Sequence, residues 1–356
     1  MNNNEKNIEL YPGHWLYNAS IIGFISSLKN IEEIEIDEYF NKDGRLIISK
    51  KIFRGIRTEQ RYFSDEKISS IVAKAPIYRN YLQSNEKELF CLFVKSLEEL
   101  ESYGKCDFSS EAYNLPIETI KRLKSNGLEQ FLNRIMDFNM IFHANLGPSL
   151  GMFPNAYWNF NQSNKICHLS AYLIIHQHLA FNQVAGQTKV FINAPSFQLM
   201  YELNKLIESL VDKENASYKN LLAMSIIEFS IKTNVMLNTW ASMNIEIIAI
   251  QKDGIIEFIS LPYETVKLLS NKRVAELLSS IGEFKILNMV IDGRNNELIE
   301  LGYRVLKIAL KPSMGKEDRN FIDNSFFKYE NRDIRNLNSL ANKLFKLYAL
   351  IQENTN

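Results

Sequence analysis

Hydrophobic positions first follow a helical period at Ile21, Ile22, Phe24, Ile25 and Leu28, which predicts a short helix with an apolar face. Ala19, Gly23 and Ser27 recur at every fourth position, a seam of small side chains along which another backbone can come close. The period then changes to two. "IEIDEYFNKDGRLIISKKIF" alternates apolar and polar residues, turns at Asp43-Gly44 and alternates again, as a β-hairpin does. Helical spacing returns over 65–100 and over 117–136.

"HANLGPSLGMFPNAYWNFNQSNK" is dense in Gly, Pro and Asn and predicts an irregular loop. "AYLIIHQHLAF" predicts a short apolar helix and "KVFIN" a strand. Asn193 or Ser196 can then cap a helix by accepting its free N–H groups. That helix carries Leu199, Met200, Leu203, Leu206, Ile207 and Leu210 on one face. After a helix ending near Trp240, "IEIIAIQ" and "IIEFISL" flank Lys252-Asp253-Gly254 as a second hairpin, which Pro262 ends. Only helical periods follow, as far as Gln352, with breaks near Gly282, Gly293 and Pro312. The expected fold class is α+β, a mixed helical body with two β-hairpins over 1–262 and a C-terminal helical bundle over 263–356.

Composition narrows the class without naming a function. A chain of 356 residues, 46% apolar and 23% charged, is that of a soluble globular protein able to bury a sizeable core. Its 41 basic and 41 acidic residues cancel, so no global charge draws it to a polyanion. Three Cys, an odd number, fit a reducing compartment better than a disulfide framework. The first twenty residues carry Glu5 and Glu9 and lack the basic start of an export signal. Trp15 to Leu28 is too short and too interrupted by Asn18, Ser20 and Ser26 to span a membrane. The expectation is a cytoplasmic protein with no membrane partner.

Catalytic and metal motifs mostly fail on order or spacing. "GPSLG", Gly147 to Gly151, matches the nucleophile elbow G-x-S-x-G, but residues 138–201 hold no Asp or Glu and every His lies at or before His178. The Ser-acid-His order of that fold is therefore unavailable to Ser149. "CDFS" and "CHLS" place Ser109 three residues after Cys106 and Ser170 three after Cys167. With Cys in place of both Ser they would be the paired C-x-x-C of a zinc site. His168, His176 and His178 stand nearby, yet His176 and His178, two apart on a helix, point to different sides. No bound metal or other cofactor is expected.

Charge is local instead. Residues 42–61 hold seven cations, including Lys50, Lys51, Arg54, Arg57 and Arg61, against Asp43 and Glu59, a net of five positive charges. Residues 304–346 hold ten against five, and Arg304, Lys307 and Lys311 share one helical face. Such patches neutralise phosphates through counterion release, or are simply solvated faces. The acid-free segment 138–201 also sets Trp158 and other aromatics among Asn155 and Asn159. These either stack on bases and read their edges or fill a core.

Four stretches carry a resemblance: "YPGHWLYNASIIGFISSL" (Tyr11 to Leu28), "LGPSLGMFPNAYWN" (Leu146 to Asn159), "ICHLSAYLII" (Ile166 to Ile175) and "VFINAPSFQLMYELN" (Val190 to Asn204). In this order, and with Cys106 and Cys167 where they stand, they resemble the large subunit of the type I-B CRISPR Cascade complex, in the subfamily with paired C-x-x-C motifs. The likeness covers roughly the first two-thirds of the chain. Cys106, Ser109, Cys167 and Ser170 occupy the C-x-x-C positions, and with two thiols replaced the family's zinc does not carry over. The resemblance implies a non-catalytic subunit that recognises the protospacer-adjacent motif, helps open double-stranded target DNA and helps recruit a helicase-nuclease. Its partners would be the Cascade backbone and cap subunits and crRNA. On this reading Lys50, Lys51, Arg54, Arg57 and Arg61 hold duplex phosphates. Asn155, Trp158 and Asn159 touch bases or the displaced strand, and Arg304, Lys307 and Lys311 lie near nucleic acid. Two other readings stay open: a hydrolase or metal-dependent enzyme built on Ser149, Cys167 and the His cluster, and a structural subunit that binds proteins through its C-terminal bundle.

Overall fold

A computed structural model of the chain describes residues 7–28, 36–56, 62–63, 81–83, 85–138, 164–184, 188–210, 218–232, 245–252, 255–326 and 334–355. The fold is α+β, helices with small antiparallel sheets and a helical C-terminal region. Among the described residues no helix is long and apolar enough to cross a membrane. The chain divides into two compact units, Met1–Phe181 with Ser196–Leu199, and Asn182–Pro195 with Met200–Asn356. The sequence placed a boundary at 262. In the structure the second hairpin shares a sheet with Lys189–Asn193, which groups both with the C-terminal helices.

The first unit is built on the Trp15–Leu28 helix, which is buried on nearly every side, as a helix apolar all round must be. Its internal hydroxyls are satisfied locally, Ser20 donating to the Leu16 carbonyl at 2.7 Å and Ser27 to that of Phe24 at 2.5 Å. The Asn18 amide bonds both the N–H and the carbonyl of Gly13 at 2.8 Å, folding the preceding Pro-Gly segment against the helix. The small-residue seam lies against the 3₁₀ turn Ile174–Ala180, where a Cβ on Gly23 would stand 1.9 Å from the His176 carbonyl oxygen.

That turn carries a closed polar chain. His176 Nδ1 lies 3.2 Å from the Leu173 carbonyl and Nε2 lies 2.8 Å from the Tyr62 hydroxyl, itself 2.6 Å from that of Tyr172. With Nδ1 as donor, each of these groups has a partner. Phe24, Phe53 and Phe90 surround it edge-on or stacked. His176 is therefore a core residue, not a ligand.

The first hairpin forms around its turn but takes a different main partner. Gly44 adopts φ 87°, the Asn41 N–H donates to the Arg45 carbonyl at 2.9 Å, and Phe40 bridges Leu46. The strand Leu46–Ser49, however, pairs with Asn7–Leu10, while Ile36–Tyr39 is a 3₁₀ turn. Alternation marked the second arm correctly but could not choose between two apolar partners. Of the expected 65–100 helix the described part is Lys87–Ser96, and over 117–136 the two helices Ile117–Leu123 and Glu129–Ile135 join through Gly127 at φ 88°.

In the second unit four antiparallel strands run in the order Ile256–Ser260, Glu246–Ile250, Lys189–Asn193 and Asn182–Gln183. Phe258, Ile248 and Phe191 align across the first three. The buried Asn204 amide accepts from the Ile192 N–H at 2.8 Å and donates to the Ile192 carbonyl at 2.8 Å, pinning a helix to the sheet. Ser196 is the cap, accepting from the Leu199 N–H at 3.4 Å, whereas Asn193 donates to Glu246. The C-terminal helices stop where expected: Gly282 and Gly293 both take φ 69°, and Pro312 follows the end of Asn295–Ala309. Gly302 in that helix lets the Phe345 ring of Ile334–Thr355 approach closely.

Candidate functional site

Two places in the first unit gather the residues singled out from sequence. The first is the Cys/Ser cluster. Cys106 and Ser109 lie on the loop between the paired strands Glu101–Ser102 and Tyr113–Asn114, and Cys167 caps the helix His168–Leu173. Phe108 anchors the loop edge-on against His14 at 4.9 Å and Tyr17 at 5.6 Å, and it also packs on Phe138. Asp107 and Lys165 exchange two bonds, Asp107 N–H to the Lys165 carbonyl at 2.9 Å and Lys165 N–H to the Asp107 carboxylate at 2.7 Å. These contacts carry Cys106 and Ser109 to the start of the helix.

All four side chains meet. The Ser170 oxygen lies 3.5 Å from Cys106 Sγ, 3.3 Å from Cys167 Sγ and 3.3 Å from Ser109 Oγ, and Ser109 Oγ lies 4.0 Å from Cys167 Sγ. Four thiolates around zinc would be spaced about 3.8 Å apart, from bonds of about 2.3 Å in a tetrahedron. The four separations above, 3.3 to 4.0 Å, lie around that value, but the donors are not those of a zinc site: hydroxyls stay protonated and neutral where thiolates would carry the charge. Among the described residues no three His, Cys, Asp or Glu side chains converge to hold a metal. The residues do not fit zinc.

What the cluster does is polarise its thiols. The adjacent Cys167, Ser109 and Ser170 side chains, together with the Cys167 N–H that donates to its sulfur, hold the Cys106 thiol below the usual range against the effect of burial. The Cys167 thiol, as donor and itself buried, is pushed well up. Burial beside this pair also raises the Tyr17 hydroxyl.

His168, next in the chain, is buried with Nδ1 2.9 Å from the Asn114 side-chain oxygen, and desolvation lowers its pKa from 6.5 to about 4. Between those values only the unfolded chain binds the extra proton. Stability present above pH 6.5 should therefore fall by about 3 kcal/mol as the pH drops towards 4. Urea titrations of His168→Gln across that window should show the difference from the wild type shrink by this amount. A constant difference would mean that His168 does not titrate as a buried base.

The second place is a cleft of about 880 Å³ whose lining includes Lys50, Lys51 and Arg54 together with Glu98, Glu99 and Glu101. Lys50 Nζ donates to the Leu100 carbonyl. Arg54 is bidentate to Glu98, at 2.5 and 3.0 Å, with its side chain 75% exposed. Glu99 is held by Thr119 and by Arg122, and Glu9 by Arg45. The cleft is thus mixed in charge rather than basic. The acids were legible as "LEELES" but nothing local tied them to a segment 44 residues away.

Lys51 is exposed and has no ion pair among the described residues. In the second unit Arg304 lies over the Phe321 ring at 3.7 Å, Lys311 pairs with Asp318 at 2.6 Å, and Lys307 is exposed. Arg57, Arg61, Ser149, Asn155, Trp158 and Asn159 lie outside the described residues. The sequence reading did not single out Phe108, Asn114 or Glu98, which position the cluster and engage the cleft. Compared with known proteins, the chain matches no family model, no curated protein and no solved structure.

Proposed function

We propose that the chain is the non-catalytic large subunit of a type I-B CRISPR surveillance complex in the cytoplasm, and that it grips target duplex DNA beside the guide-paired region. One observation carries the reading. Cys106, Ser109, Cys167 and Ser170, which the resemblance aligns with two C-x-x-C motifs, meet in one cluster although the two pairs lie about sixty residues apart in the chain. A chance pair of C-x-x-S sequences has no reason to do so.

On this reading crRNA reads sequence by base pairing while the large subunit recognises the short adjacent motif, so it breaks no covalent bond. Lys51 and Arg54 supply phosphate contacts at the rim of the cleft, Arg54 exchanging Glu98 for a phosphate oxygen, and Lys307 adds one in the second unit. Co-expression of the tagged chain with type I-B backbone and cap subunits and crRNA tests it: RNA and companion proteins should co-purify in fixed proportion.

A further inference from the structure

We infer that Cys106 and Cys167 are an oxidisable pair that closes a reversible disulfide, in the place where the resemblance puts a metal. Both sulfurs rest on the same Ser170 hydroxyl, at 3.5 and 3.3 Å, and the Cys106 sulfur accepts from the Cys167 N–H at 3.3 Å. A disulfide requires the two sulfurs to close to about 2.05 Å, and their shared contact with one hydroxyl keeps them near each other. Ser109 and Ser170 occupy the remaining corners with neutral hydroxyls, so no metal competes for the thiols by charge. Cys106 is partly exposed and Cys167 buried, which orders the steps.

With a small disulfide such as oxidised glutathione as oxidant, the Cys106 thiolate attacks one of its sulfurs. That S–S bond breaks, a mixed disulfide forms and a glutathione thiolate leaves. Cys167, losing its proton to the leaving thiolate, then attacks Cys106 Sγ and expels the second glutathione. Two protein thiols are oxidised and one glutathione disulfide is reduced to two thiols. The bond ties the loop between Glu101–Ser102 and Tyr113–Asn114 to the start of His168–Leu173. Pairs of this kind in reducing compartments are transient and redox-responsive.

The test is thiol titration, intact mass and peptide mapping of the full chain before and after excess oxidised glutathione. Free thiols should fall from three to one, the mass should drop by two hydrogens, and a cross-linked peptide should join Cys106 to Cys167, all reversed by dithiothreitol. Cys167→Ser should instead retain one glutathione on Cys106. Should that variant fail to fold, the wild-type peptide map still decides. Three persistent thiols, a bond involving Cys91, or a wild-type glutathione adduct that never resolves would each overturn the inference.

Discussion

Replacing Gly23 with alanine should destabilise the first unit by about 3 kcal/mol or more, or prevent its folding. The added Cβ would stand 1.9 Å from the His176 carbonyl oxygen, 2.7 Å from its carbon and 3.3 Å from the Ala180 nitrogen. All three are backbone atoms, so no side chain can swing aside. The Trp15–Leu28 helix would have to lift from the Ile174–Ala180 turn, opening the packing of Phe24 on Tyr172 and on the His176 ring. Gly55→Ala is the control: a Cβ there meets nothing within 4 Å, and its effect should stay within about 0.5 kcal/mol. Urea unfolding of both variants checks the pair. A Gly23→Ala protein as stable as the wild type would mean that the helix and the turn do not touch as described.

Reversing charge at the cleft rim should have the largest functional effect. Lys51→Glu with Arg54→Glu removes two cations from the phosphate path, so the affinity of the assembled complex for target duplex should fall roughly tenfold or more at 0.1 M salt. The slope of log affinity against log salt should shrink by about 2, near 0.9 for each phosphate no longer neutralised. Stability should fall modestly, because Lys51 is exposed but Arg54→Glu replaces the partner of Glu98, 28% exposed, with a like charge. Glu98→Gln separates the contributions. It frees Arg54 from its carboxylate and should raise affinity with the salt slope preserved. An unchanged slope in the double reversal would remove the cleft from the DNA path.

Much of the fold was legible because it rests on local rules. The seam at Ala19, Gly23 and Ser27 announced a close backbone approach, and a backbone lies there. Gly282 and Gly293 ended helices because only residues tolerant of positive φ sit there without strain. The second hairpin followed from alternation about a turn. What failed to show was whatever depends on distant partners. Leu46–Ser49 reads as a strand but nothing in its pattern selects Asn7–Leu10 over the segment just before the turn. The division near 181 follows from pairing of Lys189–Asn193 with Glu246–Ile250, which spacing cannot reveal.

The candidate site divides in the same way. Cys106 and Cys167 were visible as a pair of truncated motifs, and their meeting is set by Phe108 and by the Asp107–Lys165 exchange, neither of which has a sequence signature. Counting charges over 42–61 registered a basic segment and missed that Arg54 and Arg45 already hold carboxylates. Lys311 and Arg304 are engaged likewise, with Asp318 and Phe321. A run of cations reports composition; how much of it is left for a phosphate is decided by tertiary partners.

The decisive measurement is size-exclusion chromatography of the chain expressed together with type I-B backbone subunits and a guide RNA, with the RNA followed by absorbance and the proteins by mass. The account predicts one particle in which this polypeptide, the guide and the companion subunits elute together in constant ratio. Elution of the polypeptide alone, with the guide particle assembling fully in its absence and binding target duplex equally well, would contradict it.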